Sequence, residues 1–279
     1  MARIAVVTDS TADFADGERE RWAIEVIPLS VTWDGEVFRD KVDLTTAAFY
    51  QRLGTRQTAP QTASPPPGEF EETYERLLGS ADHVVSVHLA SSLSGTYGVA
   101  RAAADRVAPD RISVIDSSNT GLGLGWLATR AAELGGTAPI AAVEAELQRM
   151  IRGLRLYAVL DTMEYLRRGG RIGRAQAFIG ALLNFKPMLL VREGQVYPVE
   201  RPRSRAVAMR RVVDVVASAG NVERVGVVHG GAPEVLDQLQ PLLEERLPGR
   251  TVDRAEIGIV LGTHAGPSAF GVACLVSTS

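Results

Sequence analysis

The stretch HVVSVHLASSLSGTYGVARAAADRVAPDRISVID, residues 83–116, decides the fold. It opens on a β-branched run (83–89), passes through a polar turn and continues in a helical pattern over 95–107. It closes on a second β-branched run at 111–116. Strand, helix and strand at this spacing make a βαβ unit, and the crossover sets the two strands parallel. Toward the N-terminus, RIAVVT (3–8) and IEVIPLSVTW (24–33) read as two more strands of the same kind. Helical patterns occupy 45–53, 68–79, 126–135 and 140–154. Between them TAPQTASPPPGEF (58–70), with four prolines, is neither helix nor central strand.

Past residue 153 the pattern changes. LRLYAVLD (154–161) is strand-like, and KPMLLVREGQVYPVE (186–200) reads as a hairpin turning at Glu193-Gly194. Helices over 204–219 and 233–246 alternate with strands over 223–230, near 251–260 and over 271–276. The expected fold is therefore α/β. Residues 1–153 form a parallel-sheet βαβ domain, and residues 154–279 an α+β domain with a mixed or antiparallel sheet, the boundary falling near Gly153.

Composition narrows the functions. The net charge of −3 gives no electrostatic case for nucleic acid or an anionic membrane surface. Cys274 is the only cysteine, so no intrachain disulfide forms. No apolar run reaches bilayer length and the N-terminus lacks a signal-peptide core, so a soluble, cytoplasmic chain is expected. There is no G-x-x-x-x-G-K-[ST], and GLGLG (121–125) has Trp126 where a dinucleotide fingerprint has its last glycine. His83, His88, His229 and His264 show no metal-ligand spacing, so neither a metal nor a cofactor is expected.

What remains is an unusual concentration of hydroxyls. Ser91, Ser92, Ser94 and Thr96 crowd the turn before the 95–107 helix. Thr8-Asp9-Ser10-Thr11 and the run 116–120 (DSSNT) follow two other strands. In an open parallel sheet such turns meet at the carboxyl ends of the strands, where ligands bind, and a helix N-terminus there favours an anion. Asp9, Ser10, Ser92 and Thr96 are read as the polar rim of such a site. The competing reading is a set of ordinary N-caps, since Ser, Thr and Asp favour that position. Ser94 with His264 is also a conceivable nucleophile and base, but no acid can be assigned to complete a triad and G-x-S-x-G is absent. Farther on, Gly169-Gly170-Arg171-Ile172-Gly173 lets the backbone turn sharply and aim Arg171 inward. His264 sits in GTHAGP (262–267), read as a tight polar turn between two strands. The nearly uncharged run 177–187, with Phe178, Ile179, Leu182 and Phe185, is either core or the wall of an apolar tunnel.

Taken together in order, TDST (8–11), the Thr62 loop, SSLSGTY (91–97), DSSNTGLGLG (116–125), EYLRRGGRI (164–172), LLNFKPML (182–189) and GTHAGP (262–267) resemble the DegV family of bacterial proteins. The resemblance spans essentially the whole chain. It implies two α/β domains with a long-chain fatty acid in the cleft between them. It also implies a non-catalytic role, in which a separate ATP-dependent fatty acid kinase subunit phosphorylates the presented carboxylate and the acyl phosphate enters phospholipid synthesis. By the same resemblance Thr62 and Ser94, with backbone amides around Gly95, bind the carboxylate. Arg171 and His264 then assist phosphorylation by the partner. Ala63, Phe185 and Ser268 depart from the family's usual residues. A stand-alone carrier of lipid or small acids, and a serine hydrolase using Ser94, are the alternative functions.

Overall fold

The computed structural model describes residues 3–15, 17–55, 58–178 and 185–278. The chain starts with β1 (Ile4–Asp9), a single helical turn α1 (Glu18–Arg21) and β2 (Glu25–Ile27), followed by β3 (Ser30–Trp33), β4 (Glu36–Arg39), α2 (Thr46–Leu53) and β5 (Gln61–Ala63). Then come α3 (Pro67–Leu78), β6 (His83–His88), α4 (Thr96–Val107), β7 (Ile112–Asp116), α5 (Gly121–Leu134) and α6 (Ile140–Gly153). Strands β2-β1-β6-β7 form one wholly parallel sheet. Every residue of β6 after His83 is buried, as a parallel strand covered on both faces requires.

Three local expectations need correction. The run 24–33 is not one strand: it breaks at Pro28-Leu29, and its second part, β3, leaves the parallel sheet for a small antiparallel one of order β4-β3-β5. Asp34 (φ 53°) and Gly35 (φ 85°) make the β3–β4 turn, both left-handed as a two-residue hairpin needs. Asp-Gly between two strand-like runs was a legible signal for it. Second, α5 begins at Gly121 and not at 126, so GLGLG is helical and buried. A side chain at Gly125 would lie 2.0 Å from the Asp13 carbonyl oxygen, so glycine there admits the chain that follows β1. The third correction concerns the C-terminal half.

That half runs through β8 (Leu154–Val159), α7 (Glu164–Arg168), a 3-10 segment (Gly173–Phe178), β9 (Met188–Arg192), β10 (Gln195–Glu200) and α8 (Arg205–Ala217). It ends with β11 (Val222–His229), α9 (Glu234–Arg246), β12 (Val252–Glu256), α10 (Ile259–Ala265) and β13 (Phe270–Val276). The sheet order is β10-β9-β8-β13-β11-β12, with only β11–β12 parallel, so the sheet is mixed. The β9–β10 hairpin turns at Glu193 (φ 51°) and Gly194 (φ 73°), as the sequence indicates. By contrast, the strand expected to reach 260 stops at Glu256, and Gly262-Thr263-His264 lie on helix α10, not on a tight turn. The Ile259 amide donates to Asp40 Oδ1 at 3.0 Å. That cap comes from 219 residues away in sequence, and no local pattern announces it.

Along β8 the side chains alternate. Tyr157 and Val159 pack under α8 and α9, while Leu154 and Leu156 join a core that also holds Val6, Trp126, Leu127 and Leu189. One apolar cluster therefore runs from the N-terminal half into the C-terminal sheet. The cavity lies along it.

Candidate functional site

The cavity has a volume of about 140 Å³ and draws its lining from both halves. Most of its wall is aliphatic. Leu156, Ala158 and Leu160 follow the period-two face of β8 and its extension, and Leu189 and Val191 face it from β9. Val260, Leu261 and Ala265 line it from α10. Thr62, Ser94, Arg171 and His264 are among its few polar lining residues.

Ser94 belongs to a triangle of hydroxyls at the start of α4. Its Oγ is 3.1 Å from Ser64 Oγ and 3.0 Å from Thr96 Oγ1, and Thr96 Oγ1 donates to Ser64 Oγ at 3.1 Å. The Thr96 amide donates weakly to Ser94 Oγ at 3.3 Å. Gly95 immediately precedes the helix, so this cluster sits at the positive end of a three-turn dipole whose first amides lack intrahelical acceptors. Ser64 was not identified from the sequence. It stands two residues after Thr62, so an extended backbone carries both side chains to one side.

Thr62 Oγ1 is 3.0 Å from Nε2 of His264. Burial first, and the Arg171 charge second, push the imidazole pKa down to about 4, so the ring is neutral at pH 7. Its Nδ1 is buried and makes no hydrogen bond. Gly169 makes room for it, because a Cβ there would come within 2.1 Å of Nδ1. Arg171 is exposed. Its Nε donates to the Leu93 carbonyl at 3.1 Å and Nη1 to that of Gly169 at 2.7 Å, so both bonds go to neutral acceptors. A cation without a carboxylate partner among the described residues stands beside two hydroxyl-bearing segments, which suits an incoming anion. No triad forms here: the partners of Ser94 Oγ are Ser64 and Thr96, while His264 is engaged by Thr62 and has no orienting acid.

Other expected site residues lie elsewhere. Asp9 is fully buried and not on a rim. Its carboxylate accepts from the amides of Thr11 (3.0 Å) and Leu89 (2.9 Å) and from Thr11 Oγ1 (2.6 Å), and faces His88 Nδ1 at 3.0 Å. Ser10 is likewise buried, its Oγ accepting from the Leu29 amide at 3.0 Å. Both are consumed in joining β1 to its neighbours, Asp9 to the end of β6 and Ser10 to Leu29 just before β3. Ser92 donates to the Gly194 carbonyl and so ties the α4 turn to the β9–β10 hairpin. Phe178 and Phe185 pack edge-on at 6.0 Å beneath the Arg201 guanidinium and are not among the lining residues. Ile179 and Leu182 lie outside the described residues. The alternation in LRLYAVLD was a legible signal for the wall that β8 supplies. Thr120, from the polar turn 116–120, also lines the cavity, as does Asp13, which was not identified from the sequence. Among the described residues there is no cluster of three or more His, Cys, Asp or Glu fit for a metal ion, and no helix long and apolar enough to cross a membrane.

Residues 3–277 match the family described as an uncharacterised protein, DegV family. Protein DegV of Bacillus subtilis is 36% identical over 275 residues, covering 96% of this chain and 98% of that protein. Its crystal structure, that of a fatty acid binding protein, matches with a TM-score of 0.88 over 99% of this chain and 100% of that one. A DegV family protein from Thermus thermophilus, solved for its fatty acid binding, is 35% identical with a TM-score of 0.92, covering 98% of this chain and 99% of that one. A stearic acid-binding protein from Eubacterium ventriosum is 25% identical with a TM-score of 0.91, covering 99% and 98% of the two chains.

Proposed function

This chain belongs to the DegV family, and we propose that it binds a long-chain fatty acid and presents the carboxylate to a separate ATP-dependent kinase subunit in the cytoplasm. The acyl phosphate so formed feeds phospholipid synthesis, and the chain itself is a binding subunit, not a catalyst. The acid sits between lobes formed by residues 1–153 and 154–279. Thr62 and Ser94 hold its carboxylate with help from amides at Gly95. Arg171 and His264 stand beside it for the transfer.

The observation that carries this reading is the distribution of polarity in one cavity. Hydroxyls, a neutral imidazole, the Asp13 carboxylate and a guanidinium with no carboxylate partner among the described residues line a largely aliphatic volume. A carboxylate held by hydroxyls and amides stays ionised and nucleophilic. Each hydrogen bond to it contributes roughly 1.5–3 kcal/mol. A tail of about fourteen methylenes contributes on the order of 11 kcal/mol gross, at ~0.8 kcal/mol per CH₂, before association costs are subtracted. The tail thus supplies most of the affinity, and the head group sets orientation.

Mass spectrometry of lipid carried through purification tests the binding half, and a long-chain fatty acid is expected. Adding a fatty acid kinase subunit with ATP tests the other half. Acyl phosphate formed only with both proteins supports presentation, whereas bound lipid that no kinase can use leaves a stand-alone carrier.

A further inference from the structure

Two further polar residues line the same cavity. Asp13 is 2% exposed and Thr120 5% exposed, and among the described residues Asp13 Oδ2 and Thr120 Oγ1 make no close hydrogen bond, although the Gly258 backbone also bears on the Asp13 carboxylate. Both residues stand at the start of α5, Thr120 as the residue before Gly121 and Asp13 bonded to Gly121. The Asp13 amide donates to the Gly121 carbonyl at 3.1 Å, and the Cβ direction of Gly121 points to a spot 3.5 Å from Asp13 Oδ2 and 3.7 Å from Leu156 Cδ2. The carboxylate is held in place from its other side. Lys41 Nζ bonds Asp13 Oδ1 at 2.9 Å and the Ala12 carbonyl at 2.7 Å, which leaves Oδ2 toward the aliphatic wall.

Thr120 occupies the N-cap position of α5, yet its hydroxyl accepts no helix amide, the usual work of a threonine there. An unbranched hydrocarbon tail filling this cavity would leave both atoms buried against methylenes, at the full cost of their desolvation. A hydroxyl on the tail meets both needs at once: its hydrogen goes to Asp13 Oδ2, and its oxygen accepts from Thr120 Oγ1–H.

We propose that Asp13 and Thr120 form a second polar anchor and that the preferred ligand is a fatty acid bearing a hydroxyl on its chain. The proposal rests on the fatty-acid reading of the same cavity.

The test is competitive binding of stearic acid and a positional series of hydroxystearic acids to the delipidated full-length protein. One position, or two adjacent ones, should bind about tenfold more tightly than stearic acid, the gain of one well-placed hydrogen-bonded pair. Thr120→Val preserves shape and removes no cap, and it should erase that preference, read as the ratio of hydroxystearic to stearic acid affinity within the variant. Asp13→Asn, which also disturbs Lys41, should do the same if it folds. If stearic acid binds and no isomer is preferred, or if the preference survives Thr120→Val, the pair holds only water and the proposal falls while the fatty-acid reading stands. If neither stearic acid nor any isomer binds, that reading falls and takes this proposal with it.

Discussion

Two polar turns at the carboxyl ends of neighbouring strands look alike in sequence and differ in use. Thr8-Asp9-Ser10-Thr11 follows β1, and the hydroxyl-rich turn at 91–96 follows β6. In the first, every polar side chain is buried, and the Asp9 carboxylate is saturated by protein donors. In the second, Ser94 and Ser64 are only partly buried, bond chiefly to one another and to Thr96, and Ser94 lines the cavity. Polar residues at strand ends become a binding site only where no other backbone arrives to consume them. The Leu29 backbone takes Ser10 in one turn; in the other the Gly194 carbonyl takes Ser92 but leaves Ser94 to the cavity.

The contrast is tested most severely by Asp9→Ala. It strands the Leu89 and Thr11 amides and His88 without an acceptor, so denaturant unfolding should register a loss of roughly 3–5 kcal/mol. A loss below about 1 kcal/mol would mean that the turn is not the structural one of the pair.

The next effect is pH-dependent and belongs to the cavity side. The His264 pKa lies at about 4 when folded, below its ordinary value of 6.5. The unfolded chain therefore takes up this proton first as pH falls. The stability contributed by the neutral ring is complete above pH 6.5 and drains away between there and about pH 4, by roughly 2–3 kcal/mol. Asp40 works the other way, because burial pushes its carboxyl up to about 6 and acidification favours its folded form. Comparison of wild type with His264→Gln cancels the Asp40 contribution. The variant's stability curve should lose the His264 slope, and parallel curves would contradict a neutral, buried imidazole.

The parallel sheet, the β9–β10 hairpin and the mixed character of the C-terminal sheet were legible because they are local: β-branched runs, helical spacing and a Glu-Gly turn suffice. What was illegible depends on distant chain. Helix α10 is started by Asp40, so GTHAGP shows no helix signal of its own. The break at Pro28-Leu29 carries β3 into a second sheet whose other edge, β5, arrives thirty residues later. Thr62, Ser94, Arg171 and His264 could be nominated by resemblance, but the Thr62–His264 and Ser64–Ser94 contacts follow from how β5 and α10 are packed. Asp9 and Ser10 read as a rim for the converse reason: Thr11 supplies two of the Asp9 donors locally, but His88 and Leu89 complete the set from the end of β6, and the Leu29 amide takes Ser10.

Smaller effects separate orientation from fold. Ser94→Ala leaves Ser64 and Thr96 bonded to each other, so stability should fall by no more than about 1 kcal/mol. Yet phosphorylation of bound fatty acid by the kinase subunit should fall more than lipid binding does, and Thr62→Ala should behave likewise. Equal losses of binding and turnover in the purified variants would remove the orientation role. Arg171→Ala should give a folded, lipid-loaded protein that the kinase cannot turn over.

Ser92 gives the finest discrimination, because it stands in the same turn as Ser94 and is exposed, yet its hydroxyl is spent on the Gly194 carbonyl. If that bond is a tether between the halves and nothing more, Ser92→Ala costs about 0.5–1.5 kcal/mol of stability and leaves lipid affinity and kinase turnover unchanged. The hairpin keeps its second tether, the Gly194 amide to the Ser118 carbonyl at 2.8 Å, so its position should hold. A drop in turnover at unchanged stability would instead put Ser92 on the ligand's side of the turn. The boundary between consumed and available hydroxyls would then lie two residues earlier than Ser94.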